Sequence, residues 1–280
     1  MVKLINDKNI TYMKKNKIIY PIIASLMLVF SACEPIVDEE HLSNSTNVEG
    51  VSLVATQSTP GGNEITIEME TPGITGYWSN INIGQKRTNK VKFVYPVPGK
   101  ATFTYTGTLG AEFFTKTVDV QIDVLDHPLE QDYYDLVGED TNAGKTWVFA
   151  GQPGSGVLYW FMSPADNPDT AMTAWWNAGD SADNAPSDVK GKMHFDLNNN
   201  PNFTHYETAS ATGTKGGFNL NIANKTLTVY GGAEILGGAK AGDGTGVYKI
   251  VSLTEDEMVL WVNKGKMNAG TGWTFVFKPQ

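Results

Sequence analysis

Trp175 and Trp176 stand side by side in a long polar stretch, residues 163–188, that is rich in Pro, Asp, Asn and Ala and poor in strand formers. Flat indole rings in such a loop suit one chemistry above others. They stack on the apolar C–H faces of sugar rings while nearby polar side chains take the hydroxyls. Long irregular loops in compact domains are usually functional or disordered, and aromatic rings exposed on them call for a ligand. The bland alternative is that one ring of the pair plugs the end of its fold. Two more tryptophans are candidates for the same work. Trp160 lies in Leu158-Tyr159-Trp160-Phe161, where both faces are aromatic, and Trp261 faces away from Met258, Leu260 and Val262, beside Asn263. Trp147 and Trp273 share faces with Phe149 and with Phe275 and Phe277, and are expected in a core.

Other chemistries have thinner support. The jelly-roll glycosidases that cut laminarin-like glucans carry a Glu-x-Asp-x-x-Glu strand, and no such spacing occurs. No catalytic residue is assigned; an unfamiliar carboxylate pair such as Glu207 and Glu234 is the hydrolase alternative, and a structural or adhesive protein that binds another protein is a second. His194 and His205 occupy separate strand candidates with no metal-ligand spacing, so they are expected as solvent-facing strand histidines rather than as a zinc site or part of a triad. Asp166, Asp169, Asp180 and Asp183 crowd the long loop and offer oxygen ligands of the kind calcium takes, though in no known loop pattern; no other cofactor or metal is expected. Asp169-Thr170-Ala171 and Asp180-Ser181-Ala182 resemble the Asp-Ser/Thr-small motif of O-glycosylation in Bacteroidetes.

The remaining reactive residue is Cys33, the only cysteine, which excludes an intrachain disulfide and a multi-cysteine metal site. Lys14, Lys15 and Lys17 precede an apolar run over 18–30, about thirteen residues long and short of the roughly twenty that span a bilayer. It ends in Phe30-Ser31-Ala32-Cys33, which resembles the lipobox of bacterial lipoproteins, with Phe30 where that family has Leu, Val or Ile. The resemblance implies that residues 1–32 are a signal peptide, that Met13 begins a better one than Met1, and that the Cys33 thiol carries a membrane lipid. Residues 33–47 are polar, acidic and aperiodic, and read as a flexible tether. Asp38-Glu39-Glu40 resembles the acidic signal that sends Bacteroidetes lipoproteins to the outer face of the outer membrane. Of 21 basic and 30 acidic residues, 5 and 1 lie in 1–32, leaving 16 against 29. So acidic a chain repels phosphate backbones, which argues against nucleic acid as a partner.

The elements that must position these residues read as all-β. Ile65, Ile67 and Met69, then Val91, Phe93 and Tyr95, then Val118, Val120, Ile122 and Val124 alternate with polar residues, and Gly/Pro turns separate the runs. Residues 48–126 thus form a small β-sandwich. Trp78, Ile83-Gly84 and the segment from Phe93 through Pro96-Val97-Pro98-Gly99 to Phe103 resemble the polycystic-kidney-disease (PKD) repeat, with Trp78 a core residue. Residues 127–134, with Pro128 and several acids, read as a linker between independent domains.

Residues 135–280 hold nine strand candidates, at 146–149, 157–161, 192–197, 203–208, 217–222, 226–230, 247–252, 258–263 and 273–278, with hairpin turns at 198–201, 223–225 and 254–257. This predicts a jelly-roll-like antiparallel sandwich, with a closed up-and-down barrel as the second choice. Lys145-Thr146-Trp147-Val148, Ala174-Trp175-Trp176-Asn177-Ala178-Gly179 and Gly272-Trp273-Thr274-Phe275-Val276-Phe277-Lys278 resemble surface glycan-binding lipoproteins of Bacteroidetes. That resemblance implies an Ig/PKD-like spacer carrying a domain that captures polysaccharide or oligosaccharide without cleaving it, on the outer membrane beside a glycan transporter.

Overall fold

Alternation of apolar and polar residues builds two facing sheets from the first half of the chain. In a computed structural model, which describes residues 50–280 apart from 111 and 269, β1 (Leu53–Gln57), β2 (Glu64–Met69) and β5 (Lys90–Val94) form a sheet in the order β1-β2-β5. The second sheet contains β3 (Thr75–Asn80), β4 (Gly84–Lys86), β6 (Gly99–Leu109) and β7 (Glu112–Ile122), in the order β4-β3-β6-β7. Ile65, Ile67 and Met69 from one sheet meet Trp78, Phe103, Tyr105 and Phe114 from the other in a single core. Trp78 is fully buried, sits edge-on to Tyr105 with ring centroids 5.1 Å apart, and donates its indole N–H to the Asn89 carbonyl. Val124, expected to continue the inward face, lies past the end of β7 and is exposed. Cys33 and the stretches expected as signal peptide and tether lie outside the described residues.

The second half is a closed barrel. Its strands are β8 (Lys145–Phe149), β9 (Trp160–Ser163), β10 (Lys192–Asp196), β11 (Asn202–Tyr206), β12 (Thr214–Asn221), β13 (Thr226–Tyr230), β14 (Val247–Leu253), β15 (Met258–Val262) and β16 (Gly272–Pro279). From β10 to β16 each strand pairs antiparallel with the next in sequence. β16 then pairs with β8, and β8 with β10, which closes an eight-stranded ring; β9 adds to β16 where β8 leaves it. A jelly roll needs crossovers between two sheets, and this meander has none, so the jelly-roll expectation gives way to the up-and-down barrel. Eight strands enclose a space that side chains can just fill. Here Trp147, Phe195, Phe218, Tyr248, Trp273 and Phe275 are among the side chains that fill it.

The two ends of the barrel differ in how the chain leaves them. Strand directions place the tight turns 197–201, 222–225 and 254–257 at one end, where α1 (Gln131–Val137) lies across the opening. Tyr133, Leu136 and Val137 are buried in the barrel core, the Tyr133 hydroxyl donates to the Leu220 carbonyl, and Trp147 donates its indole N–H to the Leu136 carbonyl. The segment expected as a linker, 127–134, also packs: Leu129 and Tyr133 belong to the barrel core, and Leu125 just before it packs against the cores of both parts. Asn219 on β12 also donates a hydrogen bond to the Asn82 side chain of the sandwich. Among the described residues no helix is long and apolar enough to cross a membrane.

Candidate functional site

The other end carries the long connections: 164–191, 207–213, 231–246 and 263–271. Trp175 and Trp176 are held there by an extended segment that bridges to β9. The Met162 N–H donates to the Trp176 carbonyl at 3.0 Å, and the Trp175 N–H to the Met162 carbonyl at 2.9 Å. Adjacent residues of an extended chain project to opposite sides, and the contacts follow that rule. Trp176 turns its ring edge-on to Trp273 at the barrel mouth, with centroids 6.3 Å apart, and remains 36% exposed. Trp175 is 57% exposed and stands three residues after Met172, itself 50% exposed. The pair thus offers two separate ring faces rather than one continuous platform. Trp176 partly plugs the end of the fold, and Trp175 faces out.

Trp160 and Trp261 do not join them. Trp160 is completely buried, tilted against Trp273 with centroids 4.7 Å apart, so no sugar can reach its face. Trp261 points outward from the barrel, as its alternation implied, but is only 5% exposed. The long loop folds back over that wall: the Trp261 indole donates to Ser163 Oγ at 3.1 Å, and the neighbouring Thr274 hydroxyl donates to the Ala171 carbonyl at 2.6 Å. Both tryptophans are corrected from binding to packing residues. Trp147 and Trp273 are buried in the core, as expected.

Polar groups gather around the barrel mouth. The Lys266 ammonium reaches Glu234 Oε1 at 3.5 Å, and the Asn268 amide lies 3.6 Å from the Met162 sulfur, beside Trp176. Three side-chain atoms in this region, Trp160 Nε1, Asn177 Oδ1 and Glu234 Oε2, are buried with no hydrogen-bond partner among the described residues. Trp160 Nε1 lies 2.9 Å from the point a Cβ on Gly237 would occupy, and Gly237 has φ +76°, so both the space and the backbone demand glycine there. Burial pushes the Tyr159 phenol up to about 12, so it stays protonated and donates to the Gly179 carbonyl.

A carboxylate that sequence reading passed over organises these loops. Asp188 is buried; both its oxygens accept the Gly237 N–H, at 3.0 and 3.1 Å, and its Oδ2 lies 3.0 Å from His205 Nε2. His205 is therefore a tie between loop and wall rather than a free strand histidine, and His194 meets Thr146 Oγ1 at 3.0 Å. Nothing in Pro186-Ser187-Asp188-Val189 distinguishes Asp188 from the other loop acids; its role comes from contacts 17 and 49 residues away. Asp166 takes hydrogen bonds from Lys264 and Asn263, which hold its carboxyl below the usual range, and Asp180 accepts the Gly156 N–H. Among the described residues no three His, Cys, Asp or Glu side chains converge as metal ligands. Glu207 and Glu234 stand on different loops, and among the described residues only Glu234 has an ion-pair partner.

Two clefts, of about 720 and 770 Å³, lie elsewhere. One runs between residues 148–157 and 189–191, the other between the sandwich and the short-turn end of the barrel. Neither includes Trp175 or Trp176. Comparison with known protein families found no match, nor did comparison with curated proteins.

Proposed function

We propose that the protein binds polysaccharide without cleaving it, as a lipoprotein held in the outer membrane by Cys33, facing outward and working beside a glycan transporter. The observation that carries this reading is the exposed Trp175 and Trp176 on the longest loop of the barrel's long-loop end. The paired three- and four-stranded sheets with Trp78 between them support reading residues 48–126 as a PKD-like spacer. Because the spacer adjoins the short-turn end, the tryptophans lie at the opposite end of the barrel.

The test is retardation of the full chain in native gels cast with polysaccharide, compared with a variant carrying Trp175→Ala and Trp176→Ala. Retardation that the variant loses supports the reading; retardation equal in both removes the two rings from the site. Cys33→Ala is expected to release the protein from membranes after a carbonate wash, and retention would end the lipid assignment. A protein partner is the second reading, favoured by the exposed Met172 three residues before the exposed Trp175. It predicts that Met172→Ala weakens capture of that partner while glycan gels leave mobility unchanged.

A further inference from the structure

We infer that the ligand taken at the long-loop end is an uncharged glycan, because the loops of that end carry exposed carboxylates with no cation partner among the described residues, while most of their lysines are engaged. The inference rests on the glycan reading above and names its substrate class.

The four loops of this end hold eight acidic and four basic residues. Three of the four lysines are engaged. Lys264 pairs with Asp166 at 2.9 Å, Lys266 lies 3.5 Å from Glu234, and Lys240 donates to the carbonyls of Asn184 and Ala185 at 2.7 and 3.1 Å. On the acidic side, Asp188 is buried against Gly237 and His205. Asp169, Asp180, Asp183, Glu207 and Asp243 are exposed and, among the described residues, have no cation partner. Lys190 is the one loop lysine with no partner among the described residues. The chain has a single arginine, Arg87, and it stands in the sandwich. Planar anions such as carboxylates are read best by the paired donors of arginine; this end has none.

Asp169, Asp180 and Asp183 share the 164–191 loop with the two tryptophans, four to eight residues away in sequence. Repulsion between exposed charges reaches about 10 Å at ordinary ionic strength. A polymer bearing a carboxylate or sulfate on each residue would present several negative charges to this acidic loop at once. A neutral polymer meets only ring faces and hydrogen-bonding groups, neither of which salt weakens much.

The experiment begins with the full chain in native gels containing galactomannan, mixed-linkage β-glucan, arabinoxylan or hydroxyethylcellulose, and in parallel gels containing polygalacturonate, alginate or chondroitin sulfate. At least one neutral polymer is expected to retard the protein, with less than about twofold change between ~0.05 and ~0.5 M salt, and no polyanion is. The neutral polymer that binds is then carboxymethylated. Wild-type affinity for it is expected to fall about tenfold at low salt and to recover at high salt, because charge and not bulk is responsible. Asp169→Lys with Asp183→Lys is expected to recover most of the loss at low salt.

Binding of a polyanion by the wild type, or a loss on carboxymethylation that neither salt nor the lysine variant relieves, overturns the charge inference and leaves the glycan reading standing. Retardation by none of the seven polymers overturns the glycan reading itself.

Discussion

The two ends of the barrel are made by the same strands and have opposite characters. At one, connections of four or five residues leave little beyond the strand ends, and the opening is closed by Tyr133, Leu136 and Val137 from α1. At the other, the chain departs for up to 28 residues between strands and returns with exposed indoles and loop carboxylates. Short turns minimise the backbone that must be ordered, while long loops cost entropy and stay only where something is gained by them. The difference teaches that stability and recognition are separated along the barrel axis. The sandwich adjoins the end that stabilises, leaving the other end free of it.

The largest expected effect tests the stabilising end. Trp147→Ala should cost about 3–5 kcal/mol in urea unfolding, since it empties the core beneath α1 and leaves the Leu136 carbonyl without its donor. A loss below about 1 kcal/mol would mean that α1 is not continuous with the barrel core.

At the recognition end, replacing Trp175 and Trp176 together by Ala should lower polysaccharide affinity by about one to two decades. Each ring contributes on the order of 1 kcal/mol by stacking, and about 1.4 kcal/mol is tenfold. The melting temperature should hardly move, because both rings are partly exposed. A collapsed melt with unchanged affinity would erase the contrast between the two ends.

Asp188→Ala should fall between these cases. Removing the carboxylate strands the buried Gly237 N–H and the His205 ring, at a cost of about 1–3 kcal/mol. Faster amide exchange confined to residues 231–246 would show that Asp188 pins one rim loop. Uniform acceleration through the strands would make it an ordinary core residue.

The smallest effect belongs to the joint between sandwich and barrel. Hydrogen bonds from the His127 ring and the Asn63 N–H hold the Asp126 carboxyl at about 2, against an ordinary 3.8. Its folded value is the lower one, so its stabilisation is present above about pH 4 and is lost as pH falls toward about 2. Asp126→Asn should flatten the stability profile across that window and leave glycan binding at neutral pH unchanged. An unaltered acid profile would remove Asp126 from the joint.

Most barrel strands were legible in the sequence to within a few residues, because alternation with period two is a local pattern that needs no partner to be read; the run over 157–161 was not, since its strand is Trp160–Ser163. The sequence also placed the three tight turns, put Trp147 and Trp273 in a core by the faces they share, and marked Trp175 and Trp176 as loop residues. Only the tertiary structure decided what covers each face. Alternation said that Trp261 points away from Leu260, but not that a loop from a hundred residues earlier would fold over it. Trp160 likewise read as available until β16 brought Trp273 against its ring. Jelly roll and barrel share the same local strands, and the pairing of β16 with β8 that separates them joins residues more than 120 positions apart. Local patterns fix a side chain's direction; burial, ring closure and the grip of Asp188 on Gly237 depend on contacts distant in sequence, which no short window contains.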